Sequence, residues 1–250
     1  MKLMGSKSRI AKYLVPIIEE CINNNHITSY YEPFVGGANV IDKIHCNKKY
    51  GNDLNKYLIA LLEYVANGGK LLDEVPRELY SEVRANYKSR KYEDWYVGNI
   101  GFLASYNGRW FDGGYAKAGY EHTKNGDRYR DYYQEAKRNL EEQAKYLTNI
   151  FFTSIDYRNL SFAKDSLIYV DPPYANKKQF ANATNFNYLE FWETVRKWSE
   201  DNYVLVSEEN APDDFITIWE QSVSRSIKST DKSRSTEKLF TYKNGLYNNN

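Results

Sequence analysis

The run Leu167-Ile168-Tyr169-Val170 is apolar and partly β-branched, and it stops at Asp171-Pro172-Pro173-Tyr174. A short run of this kind reads as a buried strand, and proline extends neither a strand ladder nor a helix. Asp171 and Tyr174 therefore belong at the carboxyl end of a strand, on stiff backbone, the edge where open α/β sheets bind ligands. An ionised aspartate only accepts hydrogen bonds. The carbonyl of Pro172 is a second acceptor, and the Tyr174 ring is a flat face. Two acceptors beside an aromatic plane suit a planar base with an exocyclic amino group. The plain alternative is a proline-stiffened loop with a buried tyrosine.

Earlier in the chain, Ser29-Tyr30-Tyr31 reads as a strand leading through Glu32-Pro33-Phe34 to Gly36-Gly37-Ala38, with a helix expected over 40–44. Glycines there let the backbone turn tightly and approach a ligand. Asp53 lies sixteen residues beyond Gly37, after strand-like 50–52 and before a helix expected from Lys56 to Ala66. An acid in that place pairs with ribose hydroxyls of nucleotide-like cofactors, or caps the helix. At the start, Ser6 or Ser8 can cap a helix carrying Ile10, Leu14, Ile17, Ile18 and Cys21 on one face. Gly5-Ser6-Lys7 offers backbone N–H groups and a cation to a carboxylate or phosphate; the alternative is a solvated lysine.

From 71 to 147 the strand-like runs vanish, and polar, aromatic segments that read as helices take over, ending in a helix expected over 129–147. Between Arg84 and Arg138 there are eleven basic and seven acidic residues, a modest local surplus. Within it, the turn-forming stretch Ser105-Tyr106-Asn107-Gly108-Arg109-Trp110 presents Tyr106, Asn107, Arg109 and Trp110 together. Aromatic rings can fill the gap left by an extruded base, and Asn or Arg can read base edges. A buried turn held by its own aromatics is the competing account. Strand character returns at 150–153, with Asp156 just after. A polar loop at 175–182 could close over a target base. A helix is expected from Tyr188 to Ser199 and strands over 203–207, 215–219 and 238–242. Arg225, Lys228, Lys232 and Arg234 fall in a Ser/Thr-rich loop suited to phosphates, and 248–250 reads as a frayed end.

Asp171-Pro172-Pro173-Tyr174 after a hydrophobic strand resembles the catalytic motif of amino-methyltransferases that use S-adenosylmethionine. Glu32-Pro33-Phe34-Val35-Gly36-Gly37 is similar to their cofactor motif, with Ala38 where a third glycine is common. Tyr106-Asn107-Gly108 resembles the DNA-recognition segment of Dam-type adenine-N6 methylases, with Phe111 where an arginine is usual and Arg109 close by. The order of these motifs is also that family's. The resemblance implies a Rossmann-like α/β sheet built from 1–70 and 148–250, interrupted by a mainly helical recognition domain at 71–147. It implies cofactor contacts from Lys7, Glu32, Pro33, Phe34, Gly36, Gly37, Asp53, Asp156 (lining the adenine pocket, or capping the next turn) and Asp171. It implies duplex DNA as partner, a flipped adenine at Asp171, Pro172, Pro173 and Tyr174, and a cognate restriction endonuclease as one biological setting. Cytosine-N4 or RNA methylation, or a catalytically silent DNA-binding regulator, would use the same motifs.

Composition bounds the alternatives. A net charge of +1 gives no global attraction to nucleic acid. The 24 tyrosines fit base stacking and fit coding bias as well. Cys21 and Cys46 are too few for a disulfide framework and show no metal-ligand spacing with His26, His45 or His122. No metal is expected. The start of the chain has no signal-peptide pattern and no apolar run is long enough to cross a membrane, so a cytoplasmic protein of a prokaryote or phage-infected cell is expected. Neither cysteine sits where a cytosine-C5 nucleophile would.

Overall fold

The computed structural model describes residues 1, 3, 5–123, 126–173, 186–224 and 234–248. Tyr174, the 175–182 loop, Lys124, Arg225, Lys228, Lys232, Asn249 and Asn250 lie outside the described residues.

In chain order the structure holds a 3-10 turn Lys7–Arg9, α1 (Ala11–Asn24), β1 (Ser29–Glu32), β2 (Lys48–Asn52), α2 (Lys56–Ala66), α3 (Arg77–Asn86), α4 (Asp94–Gly98), β3 (Gly119–Thr123), β4 (Gly126–Arg130) and α5 (Tyr132–Ala144). There follow β5 (Ile150–Thr153), β6 (Leu167–Val170), α6 (Tyr188–Asp201), β7 (Tyr203–Glu208), β8 (Phe215–Ser224) and β9 (Arg234–Tyr242). Seven strands form one sheet in the order β5-β2-β1-β6-β7-β9-β8, and β3 and β4 pair by themselves. β1, β6 and β7 run parallel, while β9 is antiparallel to both β7 and β8. This is a Rossmann-like α/β sheet with an antiparallel edge. Chain direction across the sheet reverses between β1 and β6, which makes that pair the topological switch point.

Two compact units make up the chain. One comprises Met1–Ile18, Val35–His45 and Gly51–Ile155; the other comprises Glu19–Phe34, Cys46–Tyr50 and Asp156–Asn250. In the second unit every residue of β6 is buried, which is why its sequence is continuously apolar rather than alternating. Ile168 and Val170 share a core with Phe191 and Val195 of α6, Val204 and Val206 of β7, Phe215 and Phe240. Fully burying a side chain such as Phe191 contributes on the order of 2–3 kcal/mol. In the first unit Leu58, Leu61, Leu62 and Val65 of α2 are buried, and α2 packs on α4 and α5. Gly98 permits the α2–α4 approach: a Cβ there would run into the Tyr57 carbonyl and come within 3.0 Å of the Leu61 Cβ.

Four local expectations change. The 40–44 segment makes a single 3-10 turn, Ile41–Lys43. Val40, Ile41 and Ile44 are all buried, and β-branched residues that must bury on successive faces gain little from a helix. The helix after the insert begins at Tyr132, where the Asp131 side chain accepts from the Gln134 N–H at 3.0 Å, because Tyr129 and Arg130 belong to β4. The 71–147 stretch also contains the β3–β4 hairpin, and the sequence reading assigned no strand there. At the chain end Asn248 is held, donating to the Gly245 carbonyl at 3.1 Å and to the Tyr242 carbonyl at 2.7 Å.

Candidate active site

At the switch point β1 and β6 are in register with Tyr30 opposite Leu167 and Tyr31 opposite Ile168. β1 ends at Glu32, and β6 runs on through Val170 to Asp171, so both acids lie at the carboxyl ends of neighbouring strands. Glu32 is buried and accepts the Tyr30 hydroxyl at 2.8 Å. Burial, and next the Glu32 carboxylate, pushes the Tyr30 phenol well above its ordinary range. Tyr169 is likewise pushed up by burial and then by Asp171. Two neutral phenols thus lie among the acids at these strand ends. Asp171 is half-buried and Pro172 buried; the Pro173 carbonyl accepts the Tyr188 hydroxyl, so the turn after β6 is anchored to α6.

Phe34, which follows Glu32 and Pro33, joins an aromatic group with Tyr157 at 5.3 Å, Phe186 at 5.9 Å and Phe191 at 6.2 Å between ring centroids. Asp156 caps the turn Tyr157–Asn159 by accepting the Arg158 N–H at 3.0 Å. It also accepts the Arg158 guanidinium at 2.9 and 2.6 Å, which holds its carboxyl below the usual range. Asp156 thus caps the turn that follows it, one of its two expected roles.

The first unit carries the glycine turn. The Val35 N–H donates to the Asn52 carbonyl at 2.7 Å and the Ala38 N–H to the Val35 carbonyl at 2.9 Å. Gly36 has φ +49°, with no atom within 4 Å of where a Cβ would stand. Its N–H donates to Asp53 Oδ2 at 3.2 Å. At Gly37 a Cβ would lie 2.6 Å from the Asn39 amide nitrogen and 2.9 Å from the Met1 carbonyl. Ala38 adopts φ +55° and is fully buried.

Asp53 Oδ1 accepts the Asn55 N–H at 2.9 Å. Burial raises its carboxyl above the ordinary range, and the Asn55 and Gly36 N–H groups pull it partly back. The cap of α2 is Asn55, whose side chain accepts from Tyr57 and Leu58, so the helix does not need Asp53. A carboxylate has about four acceptor sites; two are used, and the rest suit hydroxyl donors. Open space at Gly36 beside such an acid fits a ribose-bearing cofactor. Asn52, not singled out in the sequence, ties the ends of β2 and β5 through Ile155 and Thr153 at 2.9–3.0 Å. Lys7 is buried in its 3-10 turn, not a solvated lysine.

The Tyr106–Gly108 turn splits the four residues expected to act together. Tyr106 is 45% exposed, and exposed Asn107 has φ +56°. Arg109 is half-buried and bonds Asp112 at 2.7 Å. Trp110 is only 7% exposed and packs against Tyr57, Phe102 and Phe111. Its indole is core, so direct contact with DNA is closed to it in this conformation. Phe111 is buried as well. The β3–β4 hairpin instead exposes Tyr120 and Tyr129, rings 5.4 Å apart, together with Arg128. Asn125-Gly126 in the sequence is the hairpin signal that would have found it.

Among the described residues no helix is long and apolar enough to cross a membrane.

A curated relative, the Type II methyltransferase M.MjaIII of Methanocaldococcus jannaschii, is 24% identical over 214 residues, covering 76% of this chain and 74% of that protein. The crystal structure of SMU.472 complexed with SAH aligns at a TM-score of 0.35 and 10% identity over 86% of this chain. The chain spans about half the length of that solved chain (48%). The family model for D12 class N6 adenine-specific DNA methyltransferase matches residues 4–236, nearly the whole chain and every motif described above. The chain belongs to the D12 class of N6 adenine-specific DNA methyltransferases.

Proposed function

We propose that this protein transfers a methyl group from S-adenosylmethionine to the N6 amino group of adenine at specific sites in duplex DNA. The observation that carries the reading is that β1 and β6, parallel neighbours at the switch point, both end in an acid at their carboxyl ends, Glu32 and Asp171, with Asp171 leading straight into two prolines. Bound S-adenosylmethionine supplies an electrophilic methyl group. Gly36, Gly37 and Asp53, with Lys7, Glu32, Pro33 and Phe34, hold and orient that cofactor. Asp171 and the Pro172 carbonyl accept the two amino hydrogens of an adenine flipped from the duplex, and Tyr174 stacks on its ring. Accepting those hydrogens keeps the nitrogen lone pair available and places acceptors where positive charge develops. Pro172 and Pro173 fix the acceptors in place, so orientation supplies much of the rate. No side chain forms a covalent intermediate.

Residues 71–147 form the recognition segment in this reading. Over that span basic and acidic residues balance, thirteen of each, so attraction to DNA comes from local placement. Tyr106, Asn107 and Arg109 approach the bases, Trp110 supports their turn from beneath, and the hairpin with Tyr120, Arg128 and Tyr129 adds phosphate and stacking contacts. The name of the M.MjaIII relative suggests a restriction–modification setting with a cognate endonuclease, in the cytoplasm where prokaryotic or phage DNA lies. The test is incubation of the full chain with unmethylated duplex DNA and methyl-labelled cofactor. Label in DNA supports the reading; bound cofactor with no label in DNA overturns it.

A further inference from the structure

Gln143 lies in the last turn of α5, more than a hundred residues from the glycine turn, and is buried. Its side-chain amide nitrogen donates to the Gly37 carbonyl at 3.1 Å, the Ala38 carbonyl at 2.9 Å and Asp42 Oδ2 at 2.9 Å. Its Oε1 accepts from the Met1 amine. Two of those acceptors are the backbone carbonyls of the residues that follow Gly36. The second belongs to Ala38, held at φ +55°, a conformation that an L-residue keeps only when its surroundings impose it. Buried carbonyls must find donors; here the Ala38 carbonyl finds Gln143, and the Gly37 carbonyl finds Gln143 and the Met1 amine at 3.3 Å, donors from outside regular backbone structure.

The helix that carries Gln143 is itself fixed at its other end. Arg130, the last residue of β4, makes two bonds to Glu135 at 2.7 and 2.9 Å, and Asp131 caps the first turn. α5 is therefore a strut between the hairpin and the glycine turn, inside one compact unit.

We propose that Gln143 is a positioning residue for the cofactor: its amide fork sets the carbonyls of Gly37 and Ala38, and through them the Gly36 N–H and the open face of the turn. This rests on the reading of the turn as the cofactor site given above. Without the amide donors the Ala38 carbonyl loses its Gln143 bond and the Gly37 carbonyl keeps only the Met1 amine, the left-handed turn loosens, and cofactor affinity falls while the chemistry at Asp171 is untouched.

The test uses the full chain with Gln143→Glu, which keeps shape but removes the donors, and Gln143→Met, which keeps length with an apolar side chain. S-adenosylhomocysteine is titrated calorimetrically, and steady-state rates are measured against cofactor and DNA, on whichever variant melts cooperatively. The expected result is a cofactor Kd and KM raised about tenfold or more, with kcat at saturating cofactor and the KM for DNA within about twofold of the parent. A folded variant whose cofactor Kd stays within about twofold overturns the inference, as does a loss shared equally by kcat and the DNA KM. If the unsubstituted protein binds no S-adenosylhomocysteine in the same titration, the reading of the turn as a cofactor site fails instead.

Discussion

The backbone N–H of Gly36 donates to Asp53 Oδ2 at 3.2 Å, so the tip of the glycine turn and the acid after β2 are locked together. Burial raises the Asp53 pKa from its ordinary 3.8, as the first cause. An acid with a raised folded-state pKa stabilises the fold fully only below its unfolded pKa, and that contribution is lost as pH rises through the folded value. Near neutral pH the protein therefore carries Asp53 ionised at a cost. Asp53→Asn removes that charge but turns one of the two acceptor oxygens into a donor facing a backbone N–H. Its melting temperature relative to the parent should therefore rise from about pH 4 to about pH 7 on top of a pH-independent loss, while cofactor affinity falls about tenfold or more. A difference in melting temperature that does not change with pH, or unchanged affinity, would remove Asp53 from this role.

Asp171→Ala tests the division of labour between the two strand ends. Transfer should fall by at least about a thousandfold, as for loss of a group acting in the transition state, with cofactor affinity within about threefold. A matching loss of cofactor affinity would make Asp171 a binding residue and no more.

Ala38 sits at φ +55°, which for an L-residue costs roughly 1–2 kcal/mol. Ala38→Gly relieves that strain, but it gives up a buried methyl of about 0.8 kcal/mol and adds unfolded-state entropy of about 0.4–1 kcal/mol. The terms nearly cancel, so denaturant unfolding should show a change under about 1 kcal/mol and unchanged cofactor binding. Ala38→Val, a β-branched residue in the same conformation, should cost clearly more.

Trp110 and Tyr106 are four residues apart and should behave oppositely. Trp110→Ala removes a buried indole and should destabilise by about 3–5 kcal/mol. Tyr106→Ala should leave the melting temperature within about a degree or two and weaken DNA binding several-fold, read by fluorescence anisotropy with a duplex. If Tyr106→Ala binds DNA normally, the turn is not a DNA contact.

Arg128 on the hairpin should contribute as a phosphate contact. Arg128→Ala would lower DNA affinity alike for all sequences and reduce the slope of log affinity against log salt by about one. An unchanged slope would exclude the hairpin from the phosphate interface.

The parts of this molecule that were legible in the sequence are those whose residues declare their environment locally. β6 is apolar on both faces because it is central, and α2 repeats its leucines at helical spacing, so strand, helix and the Asp171 turn all follow from pattern. Trp110 is different. In an irregular turn no periodicity says which ring faces inward, and four neighbours that look alike as side chains part company in space. The β3–β4 strands are short and largely exposed, so no alternation marked them, although Asn125-Gly126 did. Asp53 and Asp156 each had two sequence readings. The structure assigns the α2 cap to Asn55 and gives Asp156 to Arg158, distinctions that depend on hydrogen-bond partners. Gln143 was invisible for another reason: on an amphipathic helix it is an ordinary polar residue, and only tertiary packing brings its amide to Gly37 and Ala38.

The most direct test of the whole account is nucleoside mass spectrometry of duplex DNA after incubation with methyl-labelled S-adenosylmethionine and either the parent protein or Asp171→Ala. The account predicts labelled N6-methyladenine with the parent and none with the variant. Labelled N4-methylcytosine, or label that survives the loss of Asp171, would contradict it.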